Sequence, residues 1–561
     1  MNMNYFYPLF KLGPLNSFIA LAIGVFTLLI IIYSFKFMKT CQHLFQYYSY
    51  IILTAVASLG VVFANNLILL LIFWGFLGLT LYLLINMGGD TADVIAKKTF
   101  IIIGGSDALM LLGIGIIYYL AQTFQMDKIR LGLDNNLAVL AYLCLAIASF
   151  AKAGAMPFHS WIPECAEKAP IPVVAYLPAS LDKLLGIYLL ARISMDLFMM
   201  NEAMNIFLML IGAFTILAAV MMALVQHNMK RLLGYHAVSQ VGYMVLGIGT
   251  GTPIGIAGGI FHMLNHAIYK SCLFLTAGNV EYRTKTTDLN ELGGLAKLMP
   301  ITYISCLIAS LSISGVPPFN GFVSKWMVYQ GIIQQVTSHK SEVTGLIGTL
   351  CLVAAMFGSG LTLASFMKLI HATFLGRRNN ETTSQRLPAG QAGISEIPWQ
   401  MWLPAVLLAG LCVVFGIFAF GIPLKYFILP AVSGANFMGI WNAGLATALI
   451  IIGLVIGILV LKIKSLIPSL RVDETFVGAE KLKLDSSRIS GTEFYNTVKE
   501  LKVLKIIYRK AEAGFFDIYE QGKKFTFFVS GIFQYLHNGI LPTYLVWYLL
   551  GMLGLFFILF R

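Results

Sequence analysis

The chain has 561 residues, of which 58% are hydrophobic and only 11% charged, with a mean hydropathy of +0.82. A soluble protein of this size carries about 25% charged residues, so the composition excludes a soluble enzyme. Apolar runs of about 20 residues recur, as in a polytopic α-helical membrane protein, and the alternating segments of a β-barrel are not found. The net charge of +13 sits in short loops, which reads as membrane topology rather than nucleic-acid binding.

In chain order the expected spans are 15–37, 48–63, 66–87, 99–120, 137–153 with a broken continuation, 170–192, 204–226, 230–250, 254–277, a broken 299–337, 346–374, 401–421, 440–462 and 540–560, fourteen in all. The opening MNMNYFYPLF is uncharged and the first apolar run is span-length, unlike a signal peptide. Alternate loops collect basic residues. One side holds Lys36, Lys39, Lys97, Lys98, Lys230, Arg231, Arg283, Lys285, Lys297, Arg377, Arg378, Lys462 and Lys464; the other holds Lys128, Arg130, Arg192, Lys340 and Lys425. The richer side is expected to be cytoplasmic, in an inner or cytoplasmic membrane. Both termini then face outward, and 464–539 lies on the cytoplasmic side.

The expected division is 1–98 (N-terminal spans), 99–200 (first repeat), 201–375 (second repeat), 376–463 (C-terminal spans), 464–539 and 540–561 (terminal span). Residues 379–398 read as a loop with a low-complexity QRLPAGQAG stretch. Segment 464–539 starts polar and becomes one long helical pattern over 494–537. Leu504, Ile507, Ala511, Phe515 and Ile518 recur at helical spacing between lysines and arginines. It is too charged to span and suits an interfacial helix. It either caps the bundle or braces neighbouring subunits.

The seven cysteines (41, 144, 165, 272, 306, 351, 412) include no CxxC pair, and no nucleotide-binding glycine loop stands out. No cofactor or metal is expected, so redox chemistry or ATP hydrolysis would belong to a partner.

Residues 145–192 organise the chain. An apolar run ends at Lys152, an interruption carries Gly154, Pro157, Pro170 and Pro172, and a second apolar run carries Asp182 and Lys183. A lysine at the bilayer centre costs roughly 2.5–3.5 kcal/mol on insertion scales, and a broken helix survives at membrane depth only inside protein or beside a water-filled cavity. The alternative for Lys152 is a lysine snorkelling from a helix end. The pattern recurs at 299–337, where Gly315, Pro317 and Pro318 interrupt a run and Lys325 follows. The two breaks lie an odd number of spans apart, as in inverted repeats whose discontinuous helices frame a midplane site. Between them, FHMLNHAIYK sets His262, His266 and Lys270 four residues apart on one helix face. Such a ladder either passes protons or is a set of hydrogen-bonded core residues. A metal site lacks the further ligands it would need.

Four stretches, AKAGAMPFHSWIPECAEKAPIPV, KRLLGYHAVSQVGYM, HMLNHAIYKSCLFLTAG and SGVPPFNGFVSKW, together resemble the antiporter-like, proton-translocating membrane subunits of respiratory complex I, the NuoL, NuoM and NuoN set. Mrp antiporters and energy-converting hydrogenases use the same family. The likeness covers about residues 15–420. The segment 494–560 favours the NuoL-like branch, whereas FNGFVSKW and Lys183 look closer to hydrogenase-associated members.

The resemblance implies an all-α fold with two inverted repeats, broken helices and a lateral amphipathic helix. It makes Lys152 the proton-switch lysine, Asp107 an acidic neighbour of it, and Lys183 a lysine of the next helix. It makes His262, His266 and Lys270 the connecting ladder, Lys325 the exit-side lysine and Lys368 a basic residue one span later. Two departures matter. The family's glutamate after Trp falls on Gly75, and no Asp or Glu precedes Asp90. Lys152 then pairs with Asp107, with Asp182 or with a neighbouring subunit, or stays neutral, or the first half is an inactive spacer. The family core also begins two spans before residue 15.

The leading expectation is a proton-translocating subunit of a redox-driven complex, either NADH-quinone oxidoreductase-like or hydrogenase-like. Its partners are other antiporter-like membrane subunits, a soluble redox arm and the lipid bilayer. The alternatives are a subunit of a Mrp-type Na⁺/H⁺ antiporter and a non-translocating membrane scaffold. The scarcity of membrane-depth carboxylates leans the ion towards H⁺, while carbonyls at the breaks keep Na⁺ open.

Overall fold

Buried polar side chains, more than apolar ones, decide how this bundle is arranged. In the computed structural model the described residues are 9–338, 342–376, 394–432, 434–435, 443–466, 492–493 and 495–560. QRLPAGQAG, Arg377, Arg378, Lys340 and the polar stretch 467–491 lie outside them. The chain forms two units, one ending at Glu500 and one beginning at Leu501.

The first unit contains α1 (Pro14–Phe37), α2 (Leu44–Phe63), α3 (Leu67–Asn86), α4 (Asp90–Ala121), α5 (Asn136–Ala153), α6 (Trp161–Lys168), α7 (Ile171–Leu197) and α8 (Glu202–Leu224). Then follow α9 (Met229–Gly249), α10 (Pro253–Thr284), α11 (Pro300–Ser314), α12 (Asn320–Ser338), α13 (Glu342–Leu375), α14 (Trp399–Ile417), α15 (Ala443–Leu466) and the short α16 (Asn496–Glu500). A minimal parallel pairing joins β1 (Leu131–Gly132) to β2 (Phe198–Met199).

Every expected span has a helical counterpart. Ten helices among the described residues are long and apolar enough to cross a membrane. α9 and α10 fall short because they carry polar groups, which are turned into the protein: His236, Ser239, Gln240, His262, Asn265, His266 and Lys270 are all fully buried. Helix starts follow side-chain chemistry. Asn66, Asn135, Asn201, Asn228 and Thr252 each accept a hydrogen bond from a backbone N–H of the first turn, worth about 1 kcal/mol apiece.

Both breaks end a helix in the same way. α5 stops at Gly154 and α11 at Gly315, each with φ +81° and ψ 37°, a conformation that glycine adopts without steric cost. A Cβ at Gly154 would sit 1.8 Å from Ile162 Cδ1 and 3.5 Å from Lys183 Nζ. Pro157 and Pro317–Pro318 occupy the turns, and Pro170 and Pro172 open α7, where the missing N–H costs nothing.

α7 is buried over residues 171–193 and changes to π-helical geometry over Leu177–Leu181, immediately before Asp182. Pro178 removes a backbone donor there. Around it, the Ser271 hydroxyl donates to the Ala175 carbonyl at 2.8 Å, and the Ser180 hydroxyl lies 2.5 Å from the Tyr176 carbonyl and 3.1 Å from that of Ala175, side-chain donors of the kind an interrupted buried helix needs.

At one end of the bundle, α6 is tied by ion pairs. Lys98 of α4 meets Glu164 at 2.7 Å and Arg231 of α9 meets Glu167 at 3.4 Å. Lys230 and Glu281 pair at 2.9 Å between α9 and α10.

The second unit contains α17 (Lys502–Glu512), α18 (Ile518–Leu536) and α19 (Leu541–Leu559). The single helix expected over 494–537 is therefore divided. Gly514 adopts φ +73° after α17, and Asp517 caps α18 by accepting from the Tyr519 N–H at 2.9 Å. α17 and α18 are amphipathic, with lysines beside exposed Phe525, Phe527, Phe528 and Phe533. No residue of α19 is buried within the chain.

Candidate functional site

Seven lysines are buried among the described residues; Lys98 and Lys230 are ion-paired, and four of the other five rest against aromatic rings. Lys152, at the end of α5, is fully buried, and its ammonium has no hydrogen-bond partner among the described residues. It lies 4.9 Å from the Trp74 ring of α3. The Trp74 indole donates to Asp107 Oδ1 at 2.9 Å. Asp182 and then Asp107 act on Lys152 electrostatically, so both carboxylates expected to replace the missing glutamate are within reach of it. Gly75 itself is on the exposed face of α3, where an added Cβ meets nothing within 4 Å.

Asp182 and Lys183 are fully buried on α7, and neither carboxylate oxygen nor the ammonium has a hydrogen-bond partner among the described residues. Lys183 lies 5.5 Å from the Trp161 ring, which is held by its own N–H on the Ala151 carbonyl at 3.1 Å. Cation–π contacts of this kind contribute about 0.5–2 kcal/mol, less than buried ions need. Asp182 is the only fully buried carboxylate among the described residues.

On α10 the His/Lys face is buried as expected, but its members are not bonded to one another. His262 turns towards α9 and α12: Nδ1 is 2.9 Å from the Ser324 hydroxyl and Nε2 is 3.2 Å from Gln240 Oε1 and from the Tyr269 hydroxyl. The His266 ring has no side-chain hydrogen-bond partner among the described residues and interacts with the backbone of Ala179. Lys270 and Lys183 both act on that ring electrostatically. Lys270 donates to the Leu233 carbonyl at 2.7 Å and lies 5.6 Å from the Phe274 and Phe366 rings.

Beyond the second break, Lys325 donates to the Ile313 carbonyl at 2.9 Å and lies 4.6 Å from the Tyr243 ring. Asn320 and Asn265 bond each other, and the Ser312 hydroxyl donates to Asn320 Oδ1, clasping α11 and α12 onto α10. Lys368 donates to the Leu224 and Gln226 carbonyls at 2.6 and 2.8 Å, at the C-terminus of α8. Among the described residues no group of three His, Cys, Asp or Glu could hold a metal.

Electrostatic influence thus links Lys152 with Asp107 and Asp182, Asp182 with Lys183, Lys183 with His266 and Lys270, and Lys325 with His262. Sequence reasoning missed Trp74, Trp161, Gln240, Ser324 and, above all, His236, which is fully buried with Nε2 at 2.8 Å from the Ser365 hydroxyl. His236 stood in the KRLLGYHAVSQVGYM stretch, but a lone histidine on an apolar helix reads as packing.

The family model described as NADH:quinone oxidoreductase/Mrp antiporter, TM, matches residues 64–350, just over half of the chain. The chain belongs to that family. Among relatives of this antiporter family, the Na(+)/H(+) antiporter A1 subunit of Staphylococcus epidermidis is 32% identical over 409 residues, 70% of this chain and 50% of the relative. The corresponding Na(+)/H(+) antiporter subunit of Alkalihalophilus pseudofirmus is 31% identical over 423 residues, 72% of this chain and 51% of the relative. The chain therefore spans about half the length of these curated relatives. The fold resembles a chain of the membrane-bound sulfane sulfur reductase, an archaeal respiratory membrane complex, with a TM-score of 0.76, 22% identity and coverage of 98% of this chain and 89% of that one. It also resembles a chain of the Mrp complex from Dietzia sp. DQ12-45-1b, with a TM-score of 0.68, 21% identity and coverage of 76% and 84%.

Proposed function

We propose that this antiporter-family chain is a proton-translocating membrane subunit that works within a larger complex. One observation carries the reading: buried titratable side chains, Lys152, Asp182, Lys183, His266, Lys270, Lys325 and Lys368, extend from beside the half-buried Asp107 across the interior, with most of their charges unopposed by carboxylates. Ionisable groups at membrane depth are expensive and mark ion paths. Those without protein partners call for ordered water between them.

The relay needs no bound group. Protonated Lys152 is held between the Trp74 face and the carboxylates of Asp107 and Asp182. A shift of either carboxylate removes the opposing charge, and the proton moves by way of water to Lys183, His266 and Lys270. Lys325 receives it beyond the second break. These titrations are coupled, so the line holds protons as a set rather than residue by residue.

Two partnerships follow from the comparisons. The likeness to the sulfane sulfur reductase chain extends over nearly the whole sequence, which supports neighbouring membrane subunits and a soluble redox arm that drives translocation. The named sequence relatives support the second reading, a subunit of a Na⁺/H⁺ antiporter. Purification from gently solubilised native membranes, followed by mass spectrometry, separates them. Co-purifying iron–sulfur subunits are expected for redox drive, and antiporter-type membrane subunits alone would remove it. In proteoliposomes the complex should build a proton gradient that Lys152→Met abolishes. An undiminished gradient in that variant would overturn the relay.

A further inference from the structure

We infer that His236 is a proton-relay residue that connects Lys368 to Lys270 through the Ser365 hydroxyl. It gives the second half of the chain a branch separate from the one through Lys325. The inference rests on the relay reading of Lys270.

Three helices converge on this ring. His236 is on α9 and fully buried, with Nε2 2.8 Å from the Ser365 hydroxyl of α13. Its Nδ1 is buried without a hydrogen-bond partner among the described residues. Lys270 of α10 bonds the carbonyl of Leu233, three residues earlier on α9, and rests on Phe366, whose ring is 4.7 Å from that of His236. Lys368 follows Ser365 by three residues on α13, so the two share a helix face. The charged groups that act on the ring are Lys270 from α10, Lys325 from α12 and Lys368 from α13. Lysines from three different helices thus act electrostatically on one imidazole.

The chemistry suits the geometry. An imidazole with one nitrogen on a hydroxyl and the other unpartnered accepts a proton at one end and releases one at the other. In the inward step the Lys368 ammonium gives a proton to Ser365 Oγ as the Ser365 O–H proton passes to His236 Nε2. The proton on Nδ1 leaves, through one bridging water, to neutral Lys270. One N–H bond breaks at Lys368 and one forms at Lys270, with no net change at Ser365 or at the bridging water. The imidazole stays neutral but now carries its proton on Nε2. Tautomer exchange, in which a water takes the Nε2 proton and returns one to Nδ1, together with rotation of the hydroxyl, resets it. The Leu224 and Gln226 carbonyls hold Lys368 at the start of the branch.

A core histidine that merely packs would tolerate an amide. His236→Gln keeps a donor for Ser365 Oγ but cannot carry a proton through. The test uses the whole complex, purified with the variant chain and reconstituted in vesicles containing a pH-sensitive dye, with assembly checked on a native gel. His236→Gln and Ser365→Ala are each expected to cut coupled proton translocation roughly tenfold or more, and Lys270→Met to abolish it. Wild-type translocation in His236→Gln with loss in Lys270→Met overturns the His236 branch alone. Wild-type translocation in all three overturns the relay reading beneath it. If His236→Gln does not assemble, Ser365→Ala decides: reduced translocation supports the branch, and a wild-type rate overturns it.

Discussion

Trp74 serves two neighbours at once. Its ring faces the Lys152 ammonium and its indole N–H holds Asp107, so one side chain fixes both a cation and its counter-charge. Trp74→Phe keeps a ring but loses the hydrogen bond, about 1.5–3 kcal/mol for a charged acceptor. Trp74→Leu loses both contacts. Coupled proton translocation should fall in the order wild type, Trp74→Phe, Trp74→Leu, and equal rates in all three would dismiss the role. A second prediction concerns Asp107 and Asp182. Changing both to Asn should suppress translocation more than either single change, because each acts on Lys152; additive, mild effects would point to a counter-charge elsewhere. At this scale the sequence was half legible. Lys152, Lys183 and Lys325 stood out because charge is rare in apolar runs. The Trp74–Asp107 bond did not, because its ends lie 33 residues apart on separate helices. His236 did not because nothing local marks its approach to Ser365.

Helices were easier to foresee than their interruptions. Apolar runs announced the spans of the first unit. Gly154 and Gly315 marked the two breaks, since Gly/Pro clusters cannot continue a helix. The π-helical turn of α7 and the division of 494–537 were hidden. In the latter, apolar spacing runs on through Phe515 and Ile518, so periodicity alone registers no turn. Gly514 and Asp517 were the signals that mattered. Two predictions belong here. Gly154→Ala forces a side chain into φ +81° and onto Ile162, and should destabilise the fold by at least ~1 kcal/mol, read as a lower melting temperature of the purified complex. Ser180→Ala with Ser271→Ala strips both hydroxyl donors from the Ala175 carbonyl. An unsatisfied buried carbonyl costs about 1–3 kcal/mol, so the double variant should melt below either single one. An unchanged melting temperature would mean the carbonyl finds another donor.

At the scale of the molecule, buried charged and polar groups from Lys152 to Lys368 coexist with charged pairs at one end of the bundle. The pairs that tether α6, Lys98–Glu164 and Arg231–Glu167, have carboxylate side chains that are 30% and 22% exposed. α7, directly downstream, is sealed inside protein over residues 171–193. The surrounding electrolyte therefore reaches one and not the other. The Debye length shrinks from about 10 Å at 0.1 M salt to about 3 Å at 1 M, and half-exposed pairs weaken accordingly. Raising ionic strength should loosen α6 while α7 keeps its order, seen as faster amide deuterium exchange over 161–168 than over 182–192. The tether on the first broken helix is thus tunable from the medium, and osmotic or saline stress acts on the approach to the Lys152 break before it touches the buried line itself.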